Sequence, residues 1–547
     1  MHQGIRHFLP ALILGLLCLT AGGQSLWRVD FRDKAHHPLS VDQPRAFLSE
    51  RALQRRAAQG IPVDETDLPV HPAYVDSLVR LGAVAVNPSR WMNALTVYLP
   101  HDSLAARLKT LSFVKAVVCT RPAPPVTKRA RNKFGDPGAP LPPDTSLYGA
   151  SVHQVGQLNG QLLHTRGFTG KGMMVAILDA GFYKVNELPA FDSLRQAGRI
   201  AGTRDLVWPR SDIYQEHTHG MMVLSAMGGQ KPGTLMGTAP HAAYWLIRTE
   251  DNFSEFPVEE DNWITGAELA DSAGCDIINS SLGYSDYDLP EMSHIFADLD
   301  GRTTRAARGA NMAVAKGMLV FSSAGNEGNK AWRRIQTPAD GDSVIAVAAV
   351  DKNGVRAVFS SVGPSADREI KPTLAAMGVS NALEGANGLL TYASGTSFSS
   401  PVLAGMAACL WQATPQASPF DIKNALIRSA SQYEKPDSLL GYGIPDMNKA
   451  LNLLLTSAPA LHQPAHEWTI YPLPFRESFH LYHTSATEET SHLEIFSLTG
   501  RKLFQSTLYG RGPHRITPDH PLPYGLMVVR ISGPRGVETH KIMGGRP

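Results

Sequence analysis

The chain has 547 residues, with 51 Lys and Arg against 49 Asp and Glu, 43% hydrophobic residues, 18% charged residues and four cysteines. That length predicts several domains, and a net charge of +2 supplies no field for gripping nucleic acid or an anionic membrane. Four cysteines in so long a chain exclude a disulfide-built scaffold, which leaves burial as the stabilising force.

Residues 1–23 run from Arg6 through the apolar stretch Phe8–Thr20 to the small residues Ala21, Gly22 and Gly23. This is the order of a secretory signal peptide, and it is shorter than the roughly 20 residues of a bilayer-spanning helix. Leu16 and Leu17 stand before Cys18 where a lipoprotein would carry small residues. The mature chain is therefore expected outside the cell or at its surface, with no transmembrane segment. Its remaining cysteines, Cys119, Cys275 and Cys409, are odd in number and are expected as buried thiols.

Residues 24–122 predict a small α+β domain. Leu26–Phe31 reads as a strand, and Tyr74, Val75, Leu78 and Val79 recur at helical spacing before Gly82. Asp102 or Ser103 can cap a helix through Leu104, Leu108 and Leu111, followed by a strand over Phe113–Cys119. Residues 123–147 are rich in Pro and carry the basic run Lys128, Arg129, Arg131 and Lys133, which reads as a linker and a candidate processing site.

The chemistry is concentrated in residues 148–455. Lys171–Ala180 is a continuous apolar run ending at Asp179 and Gly181, as expected of a buried parallel strand whose carboxyl end faces a ligand. Gly167, Gly170 and Gly172 precede that strand, so they do not form the dinucleotide fingerprint. His219 and Gly220 open an apolar helix; His217 is two residues away, the wrong spacing for an HExxH zinc site. Cys275–Asn279 and Met318–Ser322 read as strands that run into Ser281-Leu282-Gly283 and into Ala324-Gly325-Asn326. Asn326 offers a side-chain N–H donor for an oxyanion. Last, Gly395 and Ser397 precede an apolar helix with Pro401 expected in its first turn, which points N–H groups and a positive helix end at the hydroxyl.

Taken together as LDAGF, HGMMV, SSLG, SAGNEG and GTSFSSP, in the order Asp, His, Asn, Ser, these segments resemble the subtilisin-like serine peptidases. The resemblance implies an α/β fold with a central, mostly parallel sheet flanked by helices. It also implies a Ser-His-Asp endopeptidase working through an acyl-enzyme. Ser397 would be the nucleophile, His219 the general base, Asp179 its orienting partner, and Asn326 with the Ser397 N–H the oxyanion hole. Ser281, Leu282 and Gly283 would pair with the substrate backbone, and Ala324 and Gly325 would wall the first specificity pocket. The partners implied are protein or peptide substrates. No cofactor is required for the chemistry; the resemblance leaves room for structural calcium, with no ligands assigned. A catalytically inactive secreted binding or adhesion protein on the same fold is the alternative, while a lipase is disfavoured because GTSFS lacks the second Gly of GxSxG.

The same resemblance makes residues 24–122 similar to a prosegment. After a linker at 456–465, residues 466–547 alternate apolar and polar positions over His492–Phe496, Leu526–Ile531 and Thr539–Met543, which predicts an all-β sandwich. WTIYPLPF, Gly500-Arg501-Lys502, Leu522-Pro523-Tyr524-Gly525 and Lys541 resemble a type IX secretion sorting domain, which implies outer-membrane secretion machinery as a partner. A carbohydrate- or protein-binding module is the rival reading of that sandwich.

Overall fold

The computed structural model describes residues 25–123, 136, 137, 139, 147–209, 211–457, 468–471, 475, 478–483, 490–497, 500–510, 514–523, 525–534 and 536–544. The expected signal peptide and the basic run Lys128–Lys133 lie outside the described residues.

In the N-terminal part, strand Ser25–Phe31 pairs antiparallel with Ala94–Leu99 on one side and Val114–Arg121 on the other, with Val84–Ser89 at the edge. Alternation along these strands sends Val29, Phe31, Val97, Leu99 and Val117 into one core with Leu78, Leu104 and Leu108. The last three come from helices Pro72–Arg80 and Ser103–Leu108. Asp102 stands at the start of the second helix without capping it; its Oδ1 instead accepts from Ser25 Oγ at 2.6 Å. A further helix, Glu50–Ala58, has no apolar stripe to announce it: its buried residues are Ala52, Arg55 and Arg56.

The large sheet has seven parallel strands in the spatial order Leu374–Met377, Ile345–Val350, Leu319–Ser323, Ile277–Ser280, Met174–Asp179, Ala243–Arg248 and Ile200–Asp205. The chain starts at Met174–Asp179, goes to the edge strand Ile200–Asp205, returns to Ala243–Arg248 between the two, then crosses over and builds outward on the other side, so the topological switch lies between Met174–Asp179 and Ile277–Ser280. Both faces are covered, which is why the strands read as unbroken apolar runs. Val175 and Ile177 face one core with helices His219–Gly228 and Thr396–Ala413; Ala176 and Leu178 face another with helices Val258–Ala273 and Arg305–Ala315. The architecture is the α/β one expected. No helix among the described residues is long and apolar enough to cross a membrane.

The N-terminal part sits on the second helical layer. Trp91 joins the core beneath Val258–Ala273, and Asn87 Nδ2 donates to Asn262 Oδ1 at 2.8 Å. Around them lies a buried ionic lattice. Asp271, fully buried, accepts from Arg55 at 2.5 Å and from Arg56 and Arg90 at 2.6 Å each. Glu268 accepts from Ser89 Oγ and from the Arg90 and Trp91 N–H groups. In the reverse sense, Lys316 Nζ reaches Asp64 and Asp67 at 3.1 and 3.0 Å. Burial would raise the Asp67 carboxyl, but the Arg56 hydrogen bond and the charges of Lys316 and Arg56 hold it well below the usual carboxylate range.

Among the described residues of the stretch expected as linker there is a paired segment. Asp136–Pro137 runs antiparallel to Ala393 and Ser394, in the strand just before Ser397, and the Ala139 N–H donates to Ser380 Oγ at 3.1 Å. At the C-terminal end, Trp468–Tyr471, Phe479–His483 and His514–Ile516 form one antiparallel sheet, and Lys502–Tyr509, Thr490–Ser497, Gly525–Gly533 and Gly536–Gly544 form another. Phe479 and Leu481 from the first meet Leu493, Ile495, Val529 and Ile531 from the second in one core, a sandwich. Cys119 is half-buried while Cys275 and Cys409 are buried, and all three are free thiols.

Candidate active site

The site forms at the carboxyl ends of the strands beside the topological switch, where open α/β sheets place ligands. Val175–Leu178 are all fully buried, and Asp179 ends their strand. His219 is the first residue of its helix. Bringing the two together requires a close approach of their flanking loops. A Cβ on Gly220 would lie 2.4 Å from the Gly181 carbonyl oxygen and 2.9 Å from Asp179 Cβ; one on Gly181 would lie 2.3 Å from the His217 nitrogen. With glycine at both positions, His219 Nδ1 donates to Asp179 Oδ1 at 2.7 Å, and the Ala180 N–H donates to the same oxygen at 2.7 Å. Arg248, at the end of the neighbouring strand, donates through Nε to the Ala180 carbonyl at 3.1 Å and through Nη1 to Asp205 at 2.9 Å, bracing the turn. His217 lies beside the helix start, its Nδ1 accepting the His219 N–H at 3.2 Å. Gly220→Ala is expected to push His219 off Asp179 and to lower kcat/KM about 10²-fold, the scale of an ångström-sized misplacement, in peptide hydrolysis assays with circular dichroism as the folding control.

Ser397 is the second residue of helix Thr396–Ala413, so the helix starts earlier than expected and Pro401 falls inside it rather than in its first turn. The reason is local. Proline has no N–H for the carbonyl four residues back, which is that of Ser397. That carbonyl instead accepts from Ser281 Oγ at 2.8 Å, and Ser397 Oγ donates to the Ser281 carbonyl at 3.3 Å. Asn279 completes the tie, with Nδ2 donating to Ser281 Oγ at 3.1 Å and Oδ1 accepting from Ser400 Oγ at 2.8 Å. The run of hydroxyls around Ser397 thus stitches the helix to its neighbours, and none caps it. The His219 ring lies 5.7 Å, centroid to centroid, from Phe398, the residue after Ser397.

Asn326 follows the strand Leu319–Ser323. Its Oδ1 accepts from the Thr396 N–H and from Thr396 Oγ1, both at 2.9 Å, which commits the oxygen to the helix start and leaves Nδ2 as the free-facing donor end of the amide. Ala324 is buried, and Gly325 holds the left-handed φ of 104° that this turn needs. Ser281, Leu282 and Gly283 leave the strand Ile277–Ser280 beside them. Asp179 with His219, Ser397 with Ser281, and Asn326 with Thr396 are therefore three joined pairs at one end of the sheet. Sequence reasoning missed Asn279, whose signal is a polar side chain near the end of an apolar strand, and Thr396 and Ser400, hydroxyls in the first turns of the helix that carries Ser397.

Among the described residues, two groups of carboxylates are close enough to be weighed for calcium. Asp342, Asp367 and Glu369 are already neighboured by the ammonium groups of Lys371 and Lys423, so the chain supplies the positive charge there. In Glu250, Glu255 and Glu259, all buried, Glu250 accepts from the Tyr284 hydroxyl at 2.5 Å and Glu259 from the Asp251 N–H at 2.8 Å. Burial and these carboxylates push the Tyr284 phenol well above its usual range. Neither group is assigned a metal.

Ser, His and Asp side chains at the carboxyl end of a parallel sheet, in the chain order Asp, His, Ser, define one class of α/β serine hydrolase. The model of the subtilase family matches residues 170–443, half of the chain, and the protein belongs to that family as a subtilisin-like serine endopeptidase. A second model, the peptidase S8 propeptide domain of Bacteroidota, matches residues 26–134, reaching past the boundary expected at 122. Among curated relatives, the chain is 29% identical to the thermostable alkaline protease of Halalkalibacterium halodurans, over 54% of this chain and 71% of that protein. It is 28% identical to subtilisin E of Bacillus subtilis, over 52% of this chain and 67% of that protein. Among solved structures, MycP1 from Mycobacterium smegmatis aligns with a TM-score of 0.45 and 21% identity, over 60% of this chain and 92% of that one.

Proposed function

We propose that the protein is an exported endopeptidase that hydrolyses peptide bonds with Ser397 as nucleophile, His219 as base and then acid, and Asp179 as the group that orients His219. The observation that carries this reading is the 2.7 Å hydrogen bond from His219 Nδ1 to Asp179 Oδ1. It fixes the imidazole tautomer so that Nε2 is the basic nitrogen, and it stabilises the imidazolium formed when the serine proton is taken. The Ser397 hydroxyl, resting on the Ser281 carbonyl, turns to His219 Nε2 when a substrate enters. Its attack on the scissile carbonyl gives an oxyanion held by the Ser397 N–H at the helix start and by Asn326 Nδ2. Collapse expels the amine, protonated by His219, and leaves an acyl-enzyme. A water molecule, activated by the same imidazole, then releases the acid.

The substrate is an extended peptide added as a strand along Ser281–Gly283. Loss of the oxyanion donor in Asn326→Ala is expected to lower kcat by about 10²–10³-fold with little change in KM, the effect such a donor has in a subtilisin. The reading as a whole is tested by labelling the mature protein with a fluorophosphonate and by casein hydrolysis. Stoichiometric labelling and cleavage support it, and failure of both refutes it.

Residues 24–122 act as a prosegment, removed on activation. The support is the propeptide match and the passage of Asp136–Pro137 along the strand that leads to Ser397. The C-terminal sandwich directs passage across the outer membrane. Deleting 466–547 is expected to retain the protein inside the cell envelope, as fractionation would measure, and secretion of the truncated protein would assign the sandwich to binding instead.

A further inference from the structure

Three neighbouring strands of the large sheet each end on a charged residue. Met174–Asp179, Ala243–Arg248 and Ile200–Asp205 lie side by side, and the register pairs Arg248 with Asp179 on one side and with Asp205 on the other. All three residues are buried. A buried guanidinium is costly unless its charge is met, and Asp205 meets it, Oδ2 accepting from Nη1 at 2.9 Å. Asp205 is anchored in turn by the Val207 and Trp208 N–H groups, both at 2.8 Å. The same guanidinium reaches two loops that flank the proposed acid and base. Its Nε donates to the Ala180 carbonyl at 3.1 Å, and its Nη1 lies 3.2 Å from Glu216 Oε1.

Ala180 is the residue whose N–H holds Asp179 Oδ1, at 2.7 Å. The other carboxylate oxygen, Oδ2, is buried with no hydrogen-bond partner among the described residues, so the carboxylate is located through Oδ1. Glu216 belongs to the loop that enters the helix His219–Gly228. The two loops touch: a Cβ on Gly181 would lie 2.7 Å from Glu216 Cβ, and the Tyr183 N–H donates to the His217 carbonyl at 3.3 Å. Arg248 spans that contact from a third strand. We propose that Arg248 is a positioning residue for the Asp179 and His219 pair. Its rigid fork clamps the loop after Asp179 to the loop before His219, with Asp205 as the fixed post, and so sets the bond between acid and base. The clamp lies on the side of Met174–Asp179 away from Ile277–Ser280, the strand that leads to Ser281–Gly283. Its loss should therefore disturb proton transfer and leave the peptide-binding edge in place. This inference rests on the reading of Asp179 and His219 as the orienting acid and the base.

The test uses the mature enzyme. Fluorophosphonate labelling carried to its end point counts competent sites, and peptide hydrolysis gives KM and kcat per labelled site. Arg248→Lys keeps a charge beside Asp205 but loses the fork. It is expected to lower kcat per labelled site about tenfold, with KM within about twofold of wild type. Arg248→Met is expected to lower kcat further, about 10²-fold, the scale of an ångström-sized misplacement. Glu216→Gln, at a partly exposed position, weakens one side of the clamp and is expected to act in the same direction by less. A merely structural role would lower the labelled fraction and leave kcat per labelled site unchanged. That result in Arg248→Lys overturns the inference, as does a loss carried wholly by KM. Should the Arg248 variants not fold, Glu216→Gln decides: a lowered kcat per labelled site supports the clamp, and a value equal to wild type overturns it. Wild type that neither labels nor cleaves overturns the assignment of the site, and the inference with it.

Discussion

Ser397→Ala is expected to abolish casein hydrolysis and fluorophosphonate labelling, with kcat lower by roughly 10⁶-fold. The size follows from how the three groups act as a unit: without the hydroxyl, the His219 and Asp179 pair has no proton to take and no acyl-enzyme forms. What remains is the contribution of the oxyanion donors and of binding, which alone leaves some acceleration over water. The fold should survive, because Ser397 Oγ makes only a long 3.3 Å hydrogen bond, whereas its carbonyl, which alanine keeps, carries the 2.8 Å bond from Ser281. If the prosegment is removed by the enzyme itself, the same variant accumulates at full length. Gel mobility and an unchanged melting temperature are the readouts, and retained hydrolysis would move the nucleophile elsewhere.

The second large effect is expected far from that hydroxyl. Asp271→Ala removes the carboxylate that three arginines of the N-terminal part share, and leaves Arg55, Arg56 and Arg90 buried without it. Breaking a buried ion pair from one side typically costs about 3–5 kcal/mol, because the remaining charge is desolvated. Asp271 lies on the peptidase part and the arginines on the prosegment, so the loss should appear as weaker association between them. Prosegment added in trans should bind the variant about 10²–10⁴-fold more weakly than wild type, as titration would measure. Asp67 gives the interface a pH sense. Its carboxyl is held below the usual range, so its contribution is complete above that range and is lost as the pH falls through its lowered value. Acid should therefore loosen the prosegment.

What could be read from the sequence was decided by how each element buries itself. The strand Met174–Asp179 is apolar on both faces, so its position and its terminal Asp were legible before any coordinates. The helix at His219 is likewise buried almost throughout and announces itself by composition. Helix Glu50–Ala58 was not legible, since it turns arginines inward toward a carboxylate on a different part of the chain. No local pattern records a partner more than 200 positions away. Pro401 misled for a related reason: proline is commonest at a helix start, and only the Ser281 hydroxyl, more than 100 positions earlier, explains why it is tolerated further in. Asp136–Pro137 escaped notice because two residues carry no periodicity.

The reciprocal bonds between Ser281 and Ser397 have a mechanical consequence. In the proposed mechanism, the edge that would grip a peptide and the serine that would cut it are tied by one hydroxyl and one carbonyl on each side. When the Ser397 hydroxyl turns away to His219, the bond from Ser281 Oγ to the Ser397 carbonyl remains, so in the proposed mechanism that bond is a built-in ruler between grip and blade. Proline at 401 is the component that keeps the ruler's end free of the helix, and a residue there with its own N–H would compete for the carbonyl on which the gauge is set.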